Sequence, residues 1–103
     1  MVEITESPAA LITVRVELFG SARLLCQSRV VEIETPRATD TRRLAAALAD
    51  DYPSLLGTVI RQDRLGLLGS HTFNLNGVSF IGIGPLDLQP EDSVLLFSSQ
   101  AGG

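Results

Sequence analysis

The chain has 103 residues, 45% of them hydrophobic and 19% charged, with a formal net charge of −4. This describes one ordered domain around a single core, and the acidic balance disfavours a phosphate backbone as the main partner. With Cys26 as its one cysteine, the sequence offers no disulfide framework and no metal quartet, and no apolar run approaches the roughly 20 residues that span a bilayer.

Residues 1–10 contain Glu3 and Glu6 but no Lys or Arg, unlike a signal peptide. They read as a flexible leader to a domain over 11–97, and the protein is expected to be cytoplasmic, with neither nucleic acid nor membrane as a partner. Residues 11–19 alternate, with Ile12, Val14, Val16 and Leu18 on one face and Thr13, Arg15, Glu17 and Phe19 on the other. That is the pattern of a half-buried strand. Gly20-Ser21 ends it, and a loop over 20–29 leads to a second strand over 30–34, closed by Thr35-Pro36.

Thr39 or Asp40 can N-cap a helix over 41–51, where Leu44, Ala47 and Leu48 form the apolar stripe. Tyr52-Pro53 closes the helix, because a residue before proline avoids the helical region. Pro53 can then start a short second turn carrying Leu55, Leu56, Val59 and Ile60. After a loop over 61–70, strands over 72–75 and 78–80 flank Asn76-Gly77, a strong hairpin signal. Gly82, Gly84-Pro85 and Gln89-Pro90 mark an irregular stretch in which Leu86 and Leu88 are expected to plug the core, and a last strand covers 94–97.

The order is thus β-β-α-β-β-β, an α+β layout with one main helix on a mixed sheet. A last strand lying beside the first would run parallel to it. Val94 and Leu96 then point inward, and Leu95 and Phe97 outward. Phe19 and Phe97 would share an exposed patch at the ends of their strands, where a partner could grip. Beyond it, Ser98, Ser99, Gln100, Ala101, Gly102 and Gly103 read as a flexible tail of small and polar residues. Two glycines let a backbone approach a reacting partner closely.

Little else in the chain suggests chemistry of its own. Cys26 reads as a small core filler, and His71, the single histidine, has no Cys or acidic neighbour at ligand spacing. Arg42-Arg43 reads as a solvated helix face, and Gly82-x-Gly84 precedes Pro85 rather than a helix, unlike a phosphate loop. All eight cationic side chains are Arg, so no side-chain amine is present for isopeptide formation. A non-enzymatic role is expected, with no bound cofactor and no metal.

The segments VRVELFGSAR, LAAALADDYP, NLNG and LQPEDSVLLFSSQAGG, in this order, resemble the MoaD and ThiS family of ubiquitin-like β-grasp sulfur carriers, with MoaD the nearest. Ser98-Ser99 stands where MoaD tails commonly carry Pro-Pro. The resemblance implies a carrier whose Gly103 carboxylate, next to Gly102, is adenylated by an E1-like adenylyltransferase of the MoeB or ThiF type using ATP. A sulfur donor would convert the adenylate to a thiocarboxylate, and a MoaE-like synthase subunit would accept the sulfur. It also marks Arg23, at a position often Arg in that family, as a residue that could steer an acidic partner surface; the other expected partner contacts are Phe19, Leu95 and Phe97 of the exposed patch and Ser98, Ser99, Gln100 and Ala101 of the tail. Molybdopterin synthesis is the implied pathway, with thiamine, cysteine, tRNA thiolation and secondary metabolism as alternatives. A ubiquitin-like modifier and a β-grasp interaction module without tail chemistry are the competing classes of function.

Overall fold

The structure, a computed structural model, describes residues 11–82 and 84–98. The leader expected over 1–10 and the tail residues Ser99, Gln100, Ala101, Gly102 and Gly103 lie outside it, as does Ile83. The described elements are β1 (Leu11–Leu18), α1 (Ser21–Cys26), β2 (Val30–Pro36), β3 (Ala38–Thr39), α2 (Thr41–Asp51), a 3-10 turn (Pro53–Leu55), β4 (His71–Leu75), β5 (Ser79–Phe80), β6 (Leu86–Asp87) and β7 (Ser93–Ser98). No described helix is long and apolar enough to cross a membrane.

Five strands form one mixed sheet in the order β2-β1-β7-β4-β5. β1 pairs antiparallel with β2, setting Val14 beside Ile33 and Val16 beside Val31. It pairs parallel with β7, setting Val16 beside Val94 and Leu18 beside Leu96. On the far side of β7, β4 runs antiparallel and places Phe73 beside Leu96 and Leu75 beside Val94. Because side chains alternate along a strand, these registers put Val14, Val16, Leu18, Ile33, Phe73, Val94 and Leu96 on one buried face.

Helix α2 covers that face. Asp40 caps it, its Oδ1 accepting from the Arg43 N–H at 2.9 Å, which satisfies one of the donors a helix start leaves open. Leu44, Ala45, Leu48 and Ala49 are the buried helical side chains. The expected stripe of Leu44, Ala47 and Leu48 faces the core, with Ala47 half-buried against it, and Ala45 and Ala49 widen the stripe. Small alanines there bring the helix backbone close to the sheet. Leu88 plugs the core as expected, whereas Leu86 is half-buried in a second, two-stranded sheet of β3 and β6.

Two further departures have local causes. The loop expected over 20–29 contains α1, which buries Ala22 and ends at Gln27 in the left-handed region. Six residues are too few to display a helical stripe. The stretch expected to be irregular holds β6, because the Leu88 N–H donates to the Arg37 carbonyl at 2.9 Å and draws the chain alongside β3.

The hairpin turn follows the Asn-Gly signal, with Asn76 at φ 59° and Gly77 at φ 73°. The Val78 N–H donates to the Leu75 carbonyl at 3.0 Å. Asn76 also anchors the last strand: its Oδ1 accepts from the Ser93 N–H at 2.7 Å and its Nδ2 donates to Asp92 at 3.1 Å. Leu96 is flanked on the buried face by Leu18 and Phe73. Leu96→Ala is therefore expected to lower folding stability by about 2–5 kcal/mol, measured as a shift in the denaturation midpoint.

Candidate functional site

The registers that bury one face of β1, β7 and β4 leave the other face uncovered by α2. On it, Glu17 lies beside Leu95, Thr72 beside Phe97, and Asn74 between Leu95 and Phe80. Phe19 continues β1 by one residue, its N–H donating to the Leu96 carbonyl at 3.1 Å. The Phe19 and Phe97 rings meet edge to face, with centroids 6.3 Å apart and planes at 86°. Phe80 and Phe97 stand 5.8 Å apart at 49°. Such geometries suit the quadrupoles of aromatic rings.

Three aromatic rings thus line up across four strands. Phe19 is 40% exposed and Phe80 67%, while Phe97 and Leu95 are half-buried. Phe19, Gly20, Leu95, Phe97 and Ser98 enclose a shallow concavity of about 440 Å³ at the end of β7. Ser98 is exposed, and its hydroxyl lies 2.9 Å from that of Ser70, which ties the strand end to the preceding loop. The concavity therefore reaches Ser98, the last described residue of the chain.

Of the residues singled out in the sequence, Phe19, Leu95, Phe97 and Ser98 come together here. Arg23 lies on α1 and lines a different depression, with Leu24, Gln27, Ser28 and Arg29. Ser99, Gln100, Ala101, Gly102 and Gly103 fall outside the described residues. Two members of the face were missed, Phe80 and Asn74. The two-residue turn expected between strands 72–75 and 78–80 would set Phe80 opposite Phe73; in the structure Val78 stays outside the ladder, β5 starts at Ser79, and the register moves by one residue to set Phe80 opposite Asn74.

Asn74 is the unusual member. Only 6% of its surface is exposed, and Leu95 and Phe80 flank it on the two adjacent strands. Its Oδ1 is buried with no hydrogen-bond partner, and leaving a buried acceptor unpaired costs about 1–3 kcal/mol. His71, on the other face of β4, has Nδ1 3.0 Å from the Leu68 carbonyl. It is half-buried at the first position of β4.

No group of three or more potential metal ligands occurs among the described residues. Cys26 is half-buried against the core, and that burial pushes its thiol pKa above the ordinary value. A thiol held protonated is a poor nucleophile.

Solved structures share this architecture. SAMP1 from Haloferax volcanii superposes with a TM-score of 0.72 at 22% identity, over 88% of this chain and 99% of its own. Small archaeal modifier protein 1 from Methanosarcina acetivorans gives a TM-score of 0.67 at 19% identity, over 91% and 99%. A putative molybdopterin converting factor, subunit 1, from Pyrococcus furiosus gives 0.59 at 21%, over 84% and 97%. No protein-family model matches the sequence, and no curated protein is significantly similar to it. The chain therefore has the ubiquitin-like β-grasp fold that MoaD-like and small-modifier proteins share.

The desolvated thiol has a direct consequence. At about pH 8, alkylation of Cys26 by iodoacetamide is expected to be slower than that of free cysteine, accelerating only above the ordinary thiol range. Quenched mass spectrometry at a series of pH values measures it.

Proposed function

We propose that this protein is a sulfur carrier that works through a carboxylate at Gly103, presented to an activating enzyme by the aromatic face at the end of β7. The observation that carries this reading is the position of that face. Phe19, Phe80 and Phe97 stand at the strand end from which the sequence runs on into Ser99-Gln100-Ala101-Gly102-Gly103. The β-grasp fold shared with a putative molybdopterin converting factor subunit supports it.

A carboxylate is a poor acyl donor. In the proposed cycle, a Gly103 carboxylate oxygen attacks the α-phosphorus of ATP held by an E1-like adenylyltransferase, releasing pyrophosphate. Sulfide (HS⁻) then attacks the acyl carbon and displaces AMP, and the thioacid so formed loses its proton to give the thiocarboxylate. Gly102 and Gly103 present no side chain to obstruct either attack. This chain binds no cofactor in the cycle, and the ATP belongs to the partner. A synthase of the MoaE type is the proposed sulfur acceptor, and molybdopterin assembly the favoured pathway.

A second reading, a ubiquitin-like protein modifier, is favoured by the higher TM-scores of the two small archaeal modifiers. Both readings begin with adenylation and diverge in what attacks the adenylate. Incubation with an E1-like enzyme, ATP and sulfide is expected to raise the intact mass by the exchange of one oxygen for one sulfur. An unchanged mass together with ladders of modified targets in a lysate would decide for the modifier.

The docking face has its own test. Phe97→Asp is expected to leave the fold intact by circular dichroism and to weaken binding to the activating enzyme by roughly tenfold or more, as loss of an interface aromatic does. Unchanged affinity in a calorimetric titration would remove the face from the reading.

A further inference from the structure

We infer that Asn74 is a recognition residue, whose unpaired Oδ1 is reserved for a hydrogen-bond donor that the activating enzyme brings to the aromatic face. The inference rests on the carrier reading for the identity of that partner, but its basis is local. A polar side chain at the centre of an apolar cluster is costly unless it is paired. The Oδ1 of Asn74 is buried with no hydrogen-bond partner, and the residue's surface is almost entirely covered.

The neighbours show that folding alone does not demand an amide there. Leu95 and Phe80 stand beside it on the two adjacent strands, and a leucine at the same position would continue their apolar surface. The cover is also held loosely. Phe80 is largely exposed on a strand two residues long, paired only with β4 at the edge of the sheet. In the inferred complex this exposed cross-strand neighbour turns aside to admit the donor, with no change in the backbone ladder.

The fitting partner is therefore a protein surface of mixed chemistry. It has apolar contacts for Phe19, Phe97 and the displaced Phe80, and one N–H or O–H donor that reaches Asn74 Oδ1. Apolar contact alone is tolerant of shape, whereas a buried acceptor rejects partners that leave it unpaired. Asn74 would thus give this face selectivity among the apolar surfaces it could meet.

Two variants test this by moving stability and binding in opposite directions. Asn74→Leu removes the unpaired acceptor, and the isolated protein is expected to melt about 4 °C higher or more. Its affinity for the E1-like adenylating enzyme from the same organism is expected to fall tenfold or more. Asn74→Asp keeps an acceptor of nearly the same shape. It is expected to melt lower than the wild type, because burial disfavours its charge, yet to bind within about threefold of it, since a charged acceptor still pairs with a donor.

A lower melting temperature for Asn74→Leu would overturn the inference, since it would mean that the amide is satisfied within the fold. Unchanged affinity of Asn74→Leu would also overturn it, while leaving the carrier reading in place. If the wild-type chain is not adenylated at all, the carrier reading falls and takes this partner with it. The melting comparison stands apart from that outcome.

Discussion

Leu96 is buried between Leu18 of the parallel neighbour and Phe73 of the antiparallel one. Because side chains alternate along a strand, that single inward residue commits Leu95 and Phe97 to the opposite face. The same constraint acts on each neighbour. Burial of Leu18 turns Phe19 outward, and burial of Phe73 turns Asn74 toward the aromatic face. A slip of one residue in any of the three strands would exchange the core for the aromatic face. The hydrophobic core thus determines which residues the opposite face presents.

The end of the sheet is assembled from unequal parts. β1, β7 and β4 are joined by ladders of four to seven paired residues with their neighbours, whereas β5 contributes two. Asn76 compensates at the base of the hairpin, binding the backbone of Ser93 and the side chain of Asp92. The turn is therefore fastened to the start of β7, and its outer strand is left lightly held. Within this arrangement Phe80 has the freedom that the Phe19–Phe97 pair lacks, since those two rings rise from the best-paired strands.

The main elements were legible because each had a strong local cause. Alternation marked β1, a cap and proline bounded α2, and Asn76-Gly77 specified its turn. The parallel contact of β1 and β7 followed from the single helical crossover. What escaped had causes distant in sequence. α1 is too short to show a period, and β3 and β6 pair across 47 positions or more, between Ala38–Asp87 and Thr39–Leu86. The aromatic face was half legible: Phe19 and Phe97 follow from their own strands. Phe80 requires the hairpin register as well, and Asn74 is buried between Leu95 and Phe80 of two other strands. Burial of that kind is a property of the assembled sheet, so a window of sequence around Asn74 does not carry it.

The brevity of β5 bears on solubility. An uncapped sheet edge exposes backbone donors and acceptors on which another chain can add, and an apolar face beside it invites the encounter. Here the edge strand is only two residues long and follows directly on the left-handed turn at Asn76 and Gly77. Too few backbone groups stand in line to seed a ladder with a second molecule. The edge beside the aromatic face is therefore the short one, and the long edge of the sheet, the seven residues of β2, lies at the opposite side, away from those rings.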